Sequence, residues 1–151
     1  MIDNELRGMA AKLIDLCRAK KLKLVTAESC TGGLIAATLT EIPGASDVLE
    51  RGFVTYSNAA KQKNLGVSAT ILRRHGAVSE EVAREMLEGC LRVMSADSGI
   101  AVTGRADPDR GLAFIALGRR DMPTQIEKMA FTGSRLEIIQ QIVQQALEFA
   151  Q

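Results

Sequence analysis

Ala27-Glu28-Ser29-Cys30-Thr31-Gly32-Gly33 places three hydroxyl or thiol side chains and a carboxylate in one short segment, between the apolar runs 22–25 and 34–37. The pattern reads as a strand, a tight small-residue turn and a helix start. The first N–H groups of such a helix have no intrahelical partner and carry the positive end of its dipole. Gly32 and Gly33 put no side chain in the way of an anion. The turn is therefore a place to hold a phosphate, and it would serve equally as an ordinary helix start.

Ser29 becomes a nucleophile only where a base removes its proton. The single histidine, His75, sits in Arg73-Arg74-His75-Gly76, which reads as a helix C-terminus and argues against a Ser-His-Asp triad. A lysine whose pKa is lowered by burial can replace histidine, and Lys61 lies one turn into the helix that follows Tyr56-Ser57-Asn58. A Ser29–Lys61 arrangement is the preferred chemistry, although Lys61 taken alone reads more simply as a solvated lysine like Lys63. Cys30 is a rival nucleophile because a helix N-terminus favours the thiolate; its plainer reading is a small buried residue. Tyr56 could orient a ligand ring, Thr103-Gly104 could donate to a ligand carbonyl, and Arg135 could reach a carboxylate or phosphate. Each of these also fits an ordinary strand, turn or surface position. Neither G-x-x-x-x-G-K-[ST] nor G-x-G-x-x-G occurs.

The elements that must carry these residues are legible from periodicity. Residues 5–20 place Leu6, Met9, Ala10, Leu13, Ile14, Leu16 and Cys17 at helical spacing. A strand over 22–26 and a helix over 31–40 follow, ended by Pro43-Gly44. Residues 52–57 are β-branched and aromatic and read as a strand, with Asn58 as N-cap of a helix over 59–65. Ser68 opens a helix ending near His75-Gly76, and Ser79 caps a longer one over 80–94. Strands are expected over 98–102 and 112–117, an exposed edge strand over 125–131, and a last helix over 134–150. Helices alternating with short strands predict a three-layer α/β domain with a largely parallel sheet. Glu28-Ser29, Tyr56-Ser57-Asn58 and Thr103-Gly104 then converge beyond the carboxyl ends of three strands, where such sheets bind ligands.

The chain has 151 residues, the size of one domain over 1–151, with 46% apolar and 25% charged residues. A net charge of +1 leaves no electrostatic footprint for nucleic acid, and the scarcity of aromatic residues argues against base stacking. No stretch approaches the ~20 apolar residues that span a bilayer, and the polar start has no leader pattern. A cytoplasmic protein with no membrane partner is expected. Cys17, Cys30 and Cys90 have no C-x-x-C spacing, so reduced thiols without disulfide or zinc are expected.

Taken together, the 27–33 segment, Gly52-Phe53-Val54-Thr55-Tyr56-Ser57-Asn58 with Lys61, Leu65-Gly66-Val67, His75-Gly76-Ala77-Val78-Ser79-Glu80 and Ala101-Val102-Thr103-Gly104 resemble the CinA C-terminal domain family of nicotinamide mononucleotide deamidases, in its stand-alone form. The resemblance implies an α/β/α sandwich with a mixed, mostly parallel sheet of about five strands, usually as a homodimer. It implies hydrolysis of the nicotinamide carboxamide to nicotinic acid mononucleotide and ammonia, with no metal or cofactor. Ser29 would be the nucleophile, Lys61 its base, and Tyr56 and Thr103 would place substrate or stabilise the oxyanion. The Cys30 to Gly33 turn would hold the phosphate, with Glu28, Cys30, Thr31, Gly32, Gly33, Asn58, Gly104 and Arg135 as the substrate-binding set. One departure stands out. Where the family has a Gly-Pro-rich loop of the type I-A-G-P-x-G-G and then an acidic stretch, this chain reads Arg105-Ala106-Asp107-Pro108-Asp109-Arg110-Gly111 and enters the next strand early. The alternative this motivates is a non-catalytic paralogue that binds a nucleotide or a protein. A redox role for Cys30 is a third, remote reading.

Overall fold

The computed structural model describes residues 2–93 and 95–151. Helix α1 (Asn4–Lys20) opens on Asp3, whose carboxylate accepts the Leu6 N–H at 2.9 Å, and buries Leu6, Ala10, Leu13, Ile14 and Cys17. It leads into β1 (Leu24–Glu28), every residue of which is buried. There follow α2 (Leu34–Thr40), β2 (Leu49–Val54), α3 (Asn58–Leu65), α4 (Ala69–His75) and α5 (Glu80–Val93). The chain then runs through β3 (Ser98–Arg105), β4 (Gly111–Arg119) and β5 (Gln125–Phe131) to α6 (Arg135–Phe149).

The sheet order is β2-β1-β3-β4-β5. Strand β1 is parallel to both β2 and β3, whereas β3–β4 and β4–β5 are antiparallel, so β4 alone runs against the other four. One apolar cluster packs α1, α2 and α6 on one face, and a second packs α3, α4 and α5 on the other. This is the mixed, mostly parallel three-layer α/β sandwich expected. Among the described residues no helix is long and apolar enough to cross a membrane.

Four boundaries differ from the sequence reading in ways that matter for the site. Strand β1 starts and ends two residues later than expected, because the charged Glu28 is a fully buried strand residue, 1% exposed. Strand β2 lies three residues earlier, so Tyr56 and Ser57 sit beyond its end. Asn58 is not the cap of α3: the Ser57 hydroxyl accepts the Ala60 N–H at 3.0 Å, and Asn58 is the first helical residue. Helix α2 also begins late, since Gly32 at φ 63° and Gly33 at φ 98° hold left-handed conformations that end at Leu34. The expected end of α5 at residue 94 lies outside the described residues.

The seating of α3 depends on Gly89 of α5. A Cβ there would stand 2.0 Å from the Leu65 carbonyl oxygen, so only glycine lets the two helices approach this closely.

Candidate active site

Ser29 is the first residue beyond β1, at the carboxyl edge of the sheet. Helix α3 brings Lys61 to it by an unusual division of its faces. Lys61 and Leu65, four residues apart on one face, are buried at 1% and 0% exposure, while Gln62, Lys63 and Asn64 face solvent. The Lys61 Nζ lies 3.2 Å from Ser29 Oγ, 2.9 Å from the Thr55 carbonyl oxygen and 3.1 Å from the Tyr56 carbonyl oxygen. Burial lowers the Lys61 pKa, and only the neighbouring Cys30 sulfur works in the opposite sense. A neutral amine has two hydrogens and one lone pair. Nζ is a donor to all three oxygens; in its neutral form, with both hydrogens on the carbonyls, its lone pair would face the Ser29 hydroxyl. At this separation a neutral amine could accept the Ser29 proton.

The start of α2 is already occupied by an internal carboxylate. Glu28 turns its carboxylate under the start of α2, where it accepts the Thr31 hydroxyl at 2.5 Å, the Ile35 N–H at 2.9 Å and the Ala36 N–H at 3.0 Å. The Gly32 N–H donates to the Ser29 carbonyl and the Leu34 N–H to that of Thr31. An internal carboxylate thus occupies the positive end of the helix, and Glu28 and Thr31 are structural groups rather than open ligand contacts. Burial raises the Glu28 pKa, and these donors partly offset it. Among the described residues the N–H groups of Cys30 and Thr31 make no backbone–backbone hydrogen bond, and that of Cys30 interacts with its own sulfur.

Cys30 is buried, and burial pushes its thiol up to about 11, so it lacks the thiolate character of a rival nucleophile. Gly104 is required for packing: a Cβ there would meet the Leu112 carbonyl oxygen at 2.5 Å and the Cys30 sulfur at 3.1 Å. The Thr103 hydroxyl donates to the Ala77 carbonyl at 2.7 Å, so its one hydrogen ties β3 to the loop before α5 and is not free for an oxyanion. Asn58 is exposed, with its side chain outside the Ser29–Lys61 contact.

Tyr56 and Arg135 meet each other. The Arg135 guanidinium donates to the Tyr56 hydroxyl at 3.0 Å, linking the segment after β2 to the first residue of α6, and it is close enough to Cys30 to act on its thiol electrostatically. Both are exposed, Tyr56 at 59%, whereas Ser29 is 6% exposed. The shortened loop is a hairpin: Arg105 pairs with Leu112 across β3–β4, and its side chain donates to the Arg110 carbonyl at 3.2 Å. Asp109 fastens the hairpin to the turn before α6 through two bonds with Gly133. Arg105 therefore does not plug the site.

Thr55 was missed by the sequence reading. Its carbonyl holds Lys61, and its hydroxyl is buried with no hydrogen-bond partner among the described residues. The available signal was its place directly before Tyr56, six residues from Lys61. Among the described residues no group of three or more His, Cys, Asp or Glu is placed to hold a metal ion.

A family model described as the CinA C-terminal domain matches residues 6–151. A protein of Acetivibrio thermocellus, named as competence-damage inducible, is 46% identical over 144 residues, covering 90% of this chain and 34% of its own length. A CinA-like protein of Akkermansia muciniphila is 44% identical over 133 residues, covering 83% of this chain and 32% of its own. The chain thus spans about a third of the length of the curated relatives it matches. Among solved structures, the competence/damage inducible protein CihA from Agrobacterium tumefaciens superposes with a TM-score of 0.94 at 39% identity, over 99% of this chain and 95% of that one. A CinA superfamily protein from Escherichia coli gives 0.91 at 33% identity, over 98% and 90%.

Proposed function

Because the chain belongs to the CinA C-terminal domain family, we propose that it is an amidohydrolase that converts nicotinamide mononucleotide to nicotinic acid mononucleotide and ammonia. The observation that carries this reading is the Lys61 amine, buried with no carboxylate partner among the described residues, two of its bonds accepted by carbonyls and the third position on Ser29. A buried lysine needs such a reason, since burial without a counter-charge is costly.

In this mechanism Lys61 takes the Ser29 proton as Oγ forms a bond to the carboxamide carbon. The Lys61 ammonium returns that proton to the leaving nitrogen, the C–N bond breaks, and ammonia departs from an acyl ester on Ser29. Lys61 then deprotonates a water that attacks the ester, and the carboxylate leaves with Ser29 restored. Developing oxyanion charge calls for donors not already engaged, and among the described residues the Thr55 hydroxyl and the Thr31 N–H meet that condition.

With Glu28 occupying the α2 terminus, the substrate phosphate is assigned to the Arg135 guanidinium, with Tyr56 alongside it. The proposal is tested by ammonia release from the mononucleotide: the purified chain releases it through many turnovers and Ser29→Ala does not, whereas no release by the parent chain ends the proposal. Arg135→Ala is expected to raise KM for the mononucleotide roughly tenfold with little change in kcat. The same variant should handle the unphosphorylated nucleoside as the parent does. Equal losses on both substrates would place the phosphate elsewhere.

The hairpin at 105–111 favours a second reading, a nucleotide-binding module without turnover, because a short charged connection stands where the family carries a glycine-rich loop. Binding of the mononucleotide by calorimetry with no ammonia released would decide for it.

A further inference from the structure

At the opposite edge of the sheet from Ser29, a cleft of about 220 Å³ opens between the last turn of α1, the first residues of β1 and β3, the end of β4 and the end of α6. Leu13, Leu16, Leu24, Ile100, Leu117 and Phe149 form much of its wall. Protein interiors rarely leave voids larger than a water molecule; here Leu16, Leu117 and Phe149 are partly exposed in the cleft, while Leu13, Leu24 and Ile100 are buried at 1–2% exposure. The side chain of Met122, 52% exposed, adds an apolar lip.

The charged side chains around the cleft carry one sign, with the last residue, Gln151, also on its wall. Lys20 and Arg119 line it, no Asp or Glu does, and neither cation has an ion-pair partner among the described residues. Both act on Cys17 at the cleft wall, drawing its thiol down against the burial that pushes it up. Two unpaired cations beside a small apolar chamber are complementary to one kind of molecule: a short hydrocarbon chain ending in an anion. The volume lies below the ~300–1,000 Å³ common for drug-sized ligands, which limits the guest to a small one.

We propose that this cleft is a second binding site, distinct from the Ser29–Lys61 centre, for a medium-chain aliphatic carboxylate whose tail lies among the leucines and whose head group meets Lys20 and Arg119. An apolar protein segment or a second copy of the chain would also cover hydrophobic wall, but neither accounts for cations left without a partner at the rim.

Octanoate is the probe. Calorimetric titration of the whole chain is expected to give a dissociation constant below about 1 mM, with a matching upward shift of the thermal midpoint. Arg119→Met and Lys20→Met keep the apolar stems and remove the charges, and each should weaken octanoate roughly tenfold while leaving binding of 1-octanol unchanged. Leu16→Trp, which fills the chamber, should abolish both. No octanoate binding at several millimolar, equal affinity in the methionine variants, or octanol binding as tightly as octanoate would each overturn the proposal. So would loss of binding on raising the protein concentration, which marks the cleft as covered by a second copy. None of these outcomes depends on whether the chain hydrolyses an amide.

Discussion

Lys61→Arg is expected to lower kcat on the mononucleotide by roughly a thousandfold or more while the protein stays folded. Arginine keeps the positive charge and the donors, but it does not give up its proton near neutral pH and presents no lone pair to Ser29. Lys61→Met separates base chemistry from packing. It fills similar space, leaves the Thr55 and Tyr56 carbonyls without their donor, and should be as inactive as the arginine variant.

The pH profile of the parent gives the direction of the effect. Protonating Nζ takes away the lone pair that accepts the Ser29 proton, so activity falls as pH falls through the Lys61 pKa and rises above it. Burial lowers that pKa, so the ascending limb should lie below the ~10.4 of a solvated lysine. Arginine-variant turnover within tenfold of the parent would remove Lys61 from the reaction.

Glu28→Ala should be the most damaging substitution to stability, at about 3–5 kcal/mol, which lowers the thermal midpoint by roughly 10 °C in a chain of this size. It strips the acceptor from the Thr31 hydroxyl and from the Ile35 and Ala36 N–H groups at once, in a site where water does not replace it. Glu28→Gln retains one acceptor oxygen but turns an amide toward backbone donors, and should fall between the two. If Glu28 is an internal cap rather than a substrate contact, KM measured well below the lowered midpoint stays near the parent value. A midpoint within a degree of the parent would show that α2 does not need this carboxylate.

Where the sequence was informative, burial followed the periodicity of the side chains. The apolar stripes of α1 and α6, the serine caps at 68 and 79, and the short strands β3, β4 and β5 were all readable because each alternation meets one face of the sheet. Strand β2 was not, since Glu50-Arg51 is charged and exposed on an edge while the β-propensity lies in the residues after it. Glu28 and Lys61 were harder for a related reason. A lone charged residue reads as solvent-facing by default, and only the tertiary contacts show that one carboxylate closes a helix end and one amine meets a serine. The donor-rich turn suggested a phosphate site because the acceptor that fills it, Glu28, precedes it on the strand and reaches back under it. Thr55 carried no pattern of its own; what singles it out is a carbonyl on Lys61 and a buried hydroxyl with no partner.

Catalysis by Ser29 requires a neutral amine at position 61 with its lone pair on the hydroxyl, and that state can be titrated directly. In the chain carrying carbon-labelled lysine side chains, the Lys61 resonance is assigned by its loss in Lys61→Met and followed against pH by NMR. The expected result is a midpoint clearly below those of Lys63 and the other exposed lysines, shifted again in Ser29→Ala. A Lys61 midpoint at or above theirs would mean that the amine is charged throughout the working range, and Lys61 would then be no base for Ser29.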